Sequence, residues 1–209
     1  KDILNKNDIL FIKNKSDLTL KQIIRFNPDL IFFPHWNWIV SSEIYMNFKC
    51  IVFHTAPLPF GRGGSPIQNL ILLGYESAPV CALKMIEDID AGPIYKRKML
   101  SLEGSLKNIF IRLNVIVNEM IRELINNLPE PQEQVGKVFT FKRLNKSNNK
   151  LPKKGSLKDI FDRIRMLDDK SYPSAYIQYG NIKIELNEAK LKSGKIVCKA
   201  NIQLMNNDK

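Results

Sequence analysis

The stretch Cys50-Ile51-Val52-Phe53-His54-Thr55-Ala56-Pro57-Leu58-Pro59-Phe60-Gly61-Arg62-Gly63-Gly64-Ser65-Pro66 decides the fold class. Cys50 to Phe53 is a continuous apolar run, the pattern of a strand buried on both faces. His54 stands where that run gives way to a loop rich in glycine and proline, Thr55 to Ser65. Ser65 then suits a helix N-cap, Pro66 suits the first helical position, and Gly74 suits the stop. The order is strand, ligand-sized loop, helix.

The same alternation continues on both sides. Asp8 to Ile12 is an apolar run of strand length, and Leu18 to Phe26 has helical spacing up to the break at Asn27-Pro28-Asp29. Leu30 to Phe33 reads as a second buried strand, and Ser41-Ser42-Glu43 as the start of a short helix. Downstream, Ala78 to Ile86 is a further strand. Behind Ser105, residues Leu106, Ile109, Phe110, Leu113, Ile116, Val117, Met120, Ile121 and Leu124 form a long apolar stripe at helical spacing. These elements predict an α/β fold, with a Rossmann-like, mostly parallel sheet and helices on both faces.

Beyond Pro129 the character changes. The chain to Lys154 is polar and carries Pro129, Pro131 and Pro152, as a linker does. Ser156 then caps a helix with Leu157, Ile160, Phe161, Ile164 and Leu167 on one side. Strands follow at Ala175 to Tyr179, Ile182 to Leu186 and Lys195 to Leu204, with turns at Gly180-Asn181 and Ser193-Gly194. The expected division is therefore a main domain over residues 1–130, a linker over 131–155, and a small C-terminal α+β domain over 156–209.

Composition narrows the function. Hydrophobic residues make up 44% and charged residues 25%, as in ordinary globular chains. No apolar run approaches the roughly 18 residues of a membrane span, and Lys1 to Asn7 are too polar for a signal sequence. Cys50, Cys81 and Cys198 each have apolar neighbours and form no Cys-x-x-Cys pair, so they read as buried free thiols in a reducing, cytoplasmic setting. No metal-ligand spacing is present. The net charge is +11, but the basic residues are dispersed and often have acidic neighbours, as in Lys158-Asp159 and Asp162-Arg163. That dispersal argues against nucleic acid as a partner.

The candidate chemistry lies at His54. Ligands collect at the carboxyl ends of strands in open parallel sheets, so a histidine there is well placed for catalysis; a core histidine bonded within the protein is the competing reading. The loop after it lacks the Gly-Lys-Ser/Thr ending of a phosphate-binding P-loop. Glu87-Asp88-Ile89-Asp90-Ala91-Gly92-Pro93 also follows a strand, and is expected at the same sheet edge. An acidic side chain there serves a turn, or orients an imidazole and accepts a proton.

Taken together, these segments resemble the catalytic domain of the methionyl-tRNA formyltransferase family. The residues that carry the resemblance are His54, Leu58-Pro59, Arg62-Gly63, Pro66-Ile67-Gln68 and Met85-Ile86-Glu87-Asp88-Ile89-Asp90-Ala91-Gly92. It is strong over Leu30 to Leu128, and the part from Ser156 looks like a shortened C-terminal domain of that family. The resemblance implies a catalytic pair, His54 and Asp90. It implies 10-formyltetrahydrofolate as donor, contacted by Ala56, Pro57, Leu58, Pro59 and Asp88. It also implies a central strand and helix ahead of the region matching Asp8 to Ile12, so the chain is expected to lack its natural beginning.

One departure concerns the family's asparagine, which falls here at Val52 and cannot hydrogen-bond through its side chain. His35-Trp36-Asn37-Trp38 follows another strand, so Asn37, or His35, is the expected substitute donor. Within the family, the compact C-terminal part resembles the sugar N-formyltransferases. The expected acceptor is thus the amino group of a nucleotide-linked 4-amino-4,6-dideoxy sugar, of the kind used for cell-surface polysaccharide. Arg62, Lys84, Trp36, Trp38 and Phe60 are candidates to hold it. Methionyl-tRNA is the alternative acceptor, a non-catalytic folate or nucleotide binder is a third class, and a homodimer stays open.

Overall fold

The computed structural model describes residues 8–205. The expectation about the start of the chain falls on residues 1–7 and lies outside them.

A four-stranded sheet carries the fold, in the order β1-β2-β4-β5. Its strands are β1 (Ile31–Phe33), β2 (Cys50–Thr55), β4 (Ser77–Lys84) and β5 (Ile94–Ser101). The α/β class is as expected, but the pairing is mixed. β1 and β2 are parallel, whereas β2–β4 and β4–β5 are antiparallel. For β4 and β5 the reason lies in the connection. Only the segment 85–93 joins β4 to β5, and a parallel crossover needs a dozen or more residues. β5 escapes an apolar-run reading because Lys96, Arg97 and Lys98 sit at its centre, while Ile94 and Leu100 near its ends are buried. Asp8 to Ile12 forms no strand: its backbone has no ladder partner among the described residues, and Phe11 is largely exposed.

The helices begin where their caps dictate. In α1 (Leu20–Phe26), Thr19 accepts the Gln22 N–H, and Asn27 closes the other end in the left-handed conformation. α2 is Ser42–Asn47 and α3 is Pro66–Leu72. Ser65 does not cap α3 as expected. It adopts φ 51°, and its Oγ instead accepts the Leu144 N–H at 3.1 Å. α4 (Leu106–Asn126) starts with Ser105 accepting the Asn108 N–H. Its stripe of Leu106, Ile109, Leu113, Val117, Met120 and Leu124 is buried, packing on β4 and β5. Each such side chain contributes about 1.5–3 kcal/mol by leaving water.

The stretch 131–155 is bonded along its length. Gln132 exchanges backbone bonds with Ile94, and β6 (Phe139–Phe141) pairs in parallel with β3 (Phe60–Gly63), a short strand inside the glycine-rich loop. The Asn69 amide also reaches the Lys142 carbonyl at 3.2 Å. The C-terminal part comprises α5 (Leu157–Arg165) and a meander of β7 (Ala175–Tyr179), β8 (Ile182–Lys192) and β9 (Lys195–Leu204). Ser156 and Asp159 form a reciprocal capping box at the start of α5. Arg165 fastens this part to the rest: its guanidinium bonds Asp162 at 2.6 Å and donates to the carbonyls of Leu102 and Gly104. Ile164, Met166, Leu167, Ala175 and Leu186 join the same core cluster as β4 and α4.

Two cysteines are buried as expected, whereas Cys198 on β9 is only half-buried. Burial pushes the Cys50 thiol up to about 12 and the Cys81 thiol up to about 11, the latter opposed by the Arg97 charge. Since the thiolate is the reactive form, a disulfide reagent at mild alkaline pH should modify Cys198 quickly and the other two only after denaturant is added. Rapid modification of all three thiols in the folded protein would contradict this burial.

Candidate active site

His54 lies on β2, one residue from its end, and is 7% exposed. Strand alternation puts it on the same face as Val52, while Phe53 points the other way and stacks with Phe32. Both imidazole nitrogens are engaged. Nε2 lies 2.7 Å from the Gly61 carbonyl, and Nδ1 lies 3.2 Å from Asp90 Oδ2. A carbonyl only accepts, so Nε2 carries a proton and donates it. With a second proton on Nδ1, the ring donates to the Asp90 carboxylate as well, and the two form a hydrogen-bonded ion pair in a largely buried setting, where its field is strong.

Asp90 reaches His54 by a route other than the expected one. In the antiparallel register Thr55 faces Val80 and Ile51 faces Lys84. The carboxyl end of β4 thus lies beside the amino end of β2, and the segment after it starts at the wrong edge for His54. It folds back instead. Asp90 adopts φ 54°, a left-handed conformation that aspartate tolerates better than most residues. Its Oδ2 also accepts the Gly63 N–H at 2.9 Å. Oδ1 takes no hydrogen bond from the described residues, which leaves one carboxylate oxygen for a substrate proton.

The glycine-rich loop supplies backbone to both partners. Gly61 has φ +88°, and a Cβ there would sit 2.7 Å from the Phe141 ring and 2.9 Å from the Ala56 Cβ. Only glycine lets the loop pass under that ring while turning its carbonyl to His54. Phe60 beside it stacks on Phe139 of β6 at 5.0 Å between ring centroids.

The remaining expected residues are spread. Ala56, Leu58 and Pro59 are buried, Pro57 is half-buried, and Asp88 is exposed in the turn whose carbonyl accepts the Ala91 N–H. Asn37 is exposed and makes no side-chain hydrogen bond among the described residues. His35 is held on α4, with Nε2 2.8 Å from Asn114 Oδ1 and its ring edge toward Phe110. Neither bonds to His54 or Asp90. Trp36 packs with Phe33 and Trp38 around the smaller core cluster. Lys84 is exposed, and Arg62 is bonded to Gln134. Among the described residues no group of three His, Cys, Asp or Glu side chains could hold a metal ion, and no helix is long and apolar enough to cross a membrane.

Comparison with known proteins addresses what this constellation belongs to. A solved structure, methionyl-tRNA formyltransferase from Clostridium thermocellum, is 42% identical and superposes with a TM-score of 0.89, covering 92% of this chain and 86% of that one. The chain belongs to the formyltransferase family. Residues 146–203 match the family description "Methionyl-tRNA formyltransferase, C-terminal domain". A methionyl-tRNA formyltransferase from Sulfurihydrogenibium sp. (strain YO3AOP1) is 30% identical over 192 residues, 86% of this chain. The chain spans 60% of that relative's length. A sugar N-formyltransferase from Shewanella sp. FDAARGOS_354 is 20% identical with a TM-score of 0.60, over 87% of this chain and 73% of that one; this likeness is one of fold.

Sequence reasoning missed Gln134 and Asn114. Asn114 lies on the polar side of a helix, and Gln134 lies in a stretch that reads as a linker, so neither carries a local signal.

Proposed function

We propose that the chain transfers the formyl group of 10-formyltetrahydrofolate to the amino group of methionyl-tRNA. The observation that carries this reading is the His54–Asp90 contact at 3.2 Å, in a chain 42% identical to a methionyl-tRNA formyltransferase. The amine lone pair attacks the formyl carbon, and the carbonyl electrons move to oxygen. Asp90 Oδ1 takes the proton that the amine must lose. The protonated His54–Asp90 pair balances the oxyanion, an effect on the order of a few kcal/mol. Collapse of the adduct expels the folate nitrogen, which leaves with the proton that Asp90 took from the amine, and the formamide remains with the carboxylate restored. Ala56 to Pro59 and Asp88 are proposed to contact the donor. Asn37, exposed and unbonded, keeps a proposed role as donor only if substrate binding brings it inward. Residues 1–130 and 156–209 are proposed as the two domains.

The acceptor differs from the one expected on the compactness of the C-terminal part. The sugar enzyme is related at the level of fold, whereas the high-identity structure and the match over 146–203 both carry the methionyl-tRNA description. The +11 charge suits phosphate contacts. An acceptor panel with one donor tests the reading. Methionyl-tRNA should be formylated, with kcat/KM falling as salt rises, and dTDP- or UDP-linked 4-amino sugars should not. Turnover confined to the sugar nucleotides would restore the sugar reading and overturn this one.

A further inference from the structure

We infer that Gln134 is a positioning residue that sets the Asp90 carboxylate against His54. This rests on the formyl-transfer reading for its consequence and on geometry for its substance. The Gln134 amide is fully used. Its Oε1 accepts from Arg62 Nε at 3.0 Å and Nη2 at 2.8 Å. Its Nε2 donates to the Asp90 carbonyl at 2.8 Å and to the Gly92 carbonyl at 2.9 Å. Two donors face one end and two carbonyls the other, so the amide has one permitted orientation. The two carbonyls, that of Asp90 itself and that of Gly92, hold the backbone immediately after the Asp90 side chain, and Asp90 is in a left-handed conformation that needs outside support. Arg62 lies on β3, beside Gly61, whose carbonyl holds the other nitrogen of His54. Gln134 thus ties together the two loops that grip the imidazole from opposite nitrogens. The adjacent bridge between Gln132 and Ile94 fixes the backbone from which it reaches.

Gln134→Glu is the informative change. It keeps the acceptor for Arg62 but loses both donors, and turns an oxygen toward two carbonyls. Gln134→Ala removes both halves. In each, kcat should fall by about 10–100-fold through misplacement of the carboxylate, with KM for donor and acceptor nearly unchanged. Either change should add little to Asp90→Asn, because the effect runs through Asp90.

A proton NMR readout is independent of any acceptor. The proton between His54 Nδ1 and Asp90 Oδ2 should give a downfield resonance, assigned with His35→Gln because the chain has only two histidines. That resonance should be lost or shifted in both Gln134 variants while their melting temperatures stay close to that of the unaltered chain. An unchanged resonance in both variants would overturn the inference. So would loss of the resonance only through global unfolding in both, since Gln134 would then hold the fold and not the carboxylate. If the unaltered chain formylates nothing, the proposed function fails, and the resonance still decides the role of Gln134.

Discussion

Gly92→Ala should abolish most activity and lower the melting temperature, although it adds a single methyl group two residues from Asp90. A Cβ at position 92 would lie 1.8 Å from the Lys84 carbonyl oxygen, far inside contact distance. That oxygen is backbone, and the Lys84 N–H is tied to the Pro93 carbonyl at 2.9 Å, so it cannot turn aside as a side chain would. The β4–β5 hairpin must open at its base. Overpacking of this kind costs about 1–3 kcal/mol or more. The Gly92 carbonyl would also leave Gln134, and Asp90 would move with it. Calorimetry and turnover on one preparation check both effects. A variant with unaltered melting temperature and rate would show that the segment 85–93 is looser than its contacts require.

Changes at the pair itself should be the most damaging to chemistry and mild on folding. Asp90→Asn keeps the shape and an acceptor for the Gly63 N–H, but removes the charge and the base. His54→Asn keeps an amide where the imidazole was, but cannot span from the Gly61 carbonyl to Asp90, which the ring bridges with both nitrogens. Each should reduce kcat/KM by roughly 10²–10⁴-fold, the usual range for a general acid–base group. The double variant should be little worse than either single one, because the two groups form one hydrogen-bonded pair and act as a unit. Circular dichroism and thermal melts would establish that the variants fold. Activity near that of the unaltered chain in either would remove the pair from the mechanism.

Much of this was legible from residue order. The strand-length apolar runs at Leu30 to Phe33 and Cys50 to Phe53, the apolar stripe of α4, and the Ser105 and Ser156 caps each act locally, so a linear pattern suffices. The strand direction was not. Whether β4 runs with or against β2 depends on how the chain returns through β3 and α3, which periodicity does not encode. For that reason the meeting of His54 and Asp90 was anticipated on a shared strand-end argument, whereas the structure achieves it by a loop that folds back. β5 was hidden by Lys96, Arg97 and Lys98, side chains suited to a partly exposed strand, two of them paired with acidic residues of α4. The stretch 131–155 looked like a linker because its side chains are polar. Its contribution is made through backbone bonds to Ile94, Pro59, Gly64 and Tyr176, and through the side-chain amides of Gln134 and Asn149. Such long-range polar contacts have no periodic signature.

The most direct test of the proposed formyl transfer is a single-turnover measurement. Enzyme in excess over methionyl-tRNA is mixed with 10-formyltetrahydrofolate, and formylmethionyl-tRNA is followed in time for the unaltered chain and for Asp90→Asn. A first-order burst is expected for the unaltered chain, slowed by at least about 100-fold in the variant while the donor binds both equally well. Equal burst rates, or no formyl transfer by the folded, unaltered chain, would contradict this proposal.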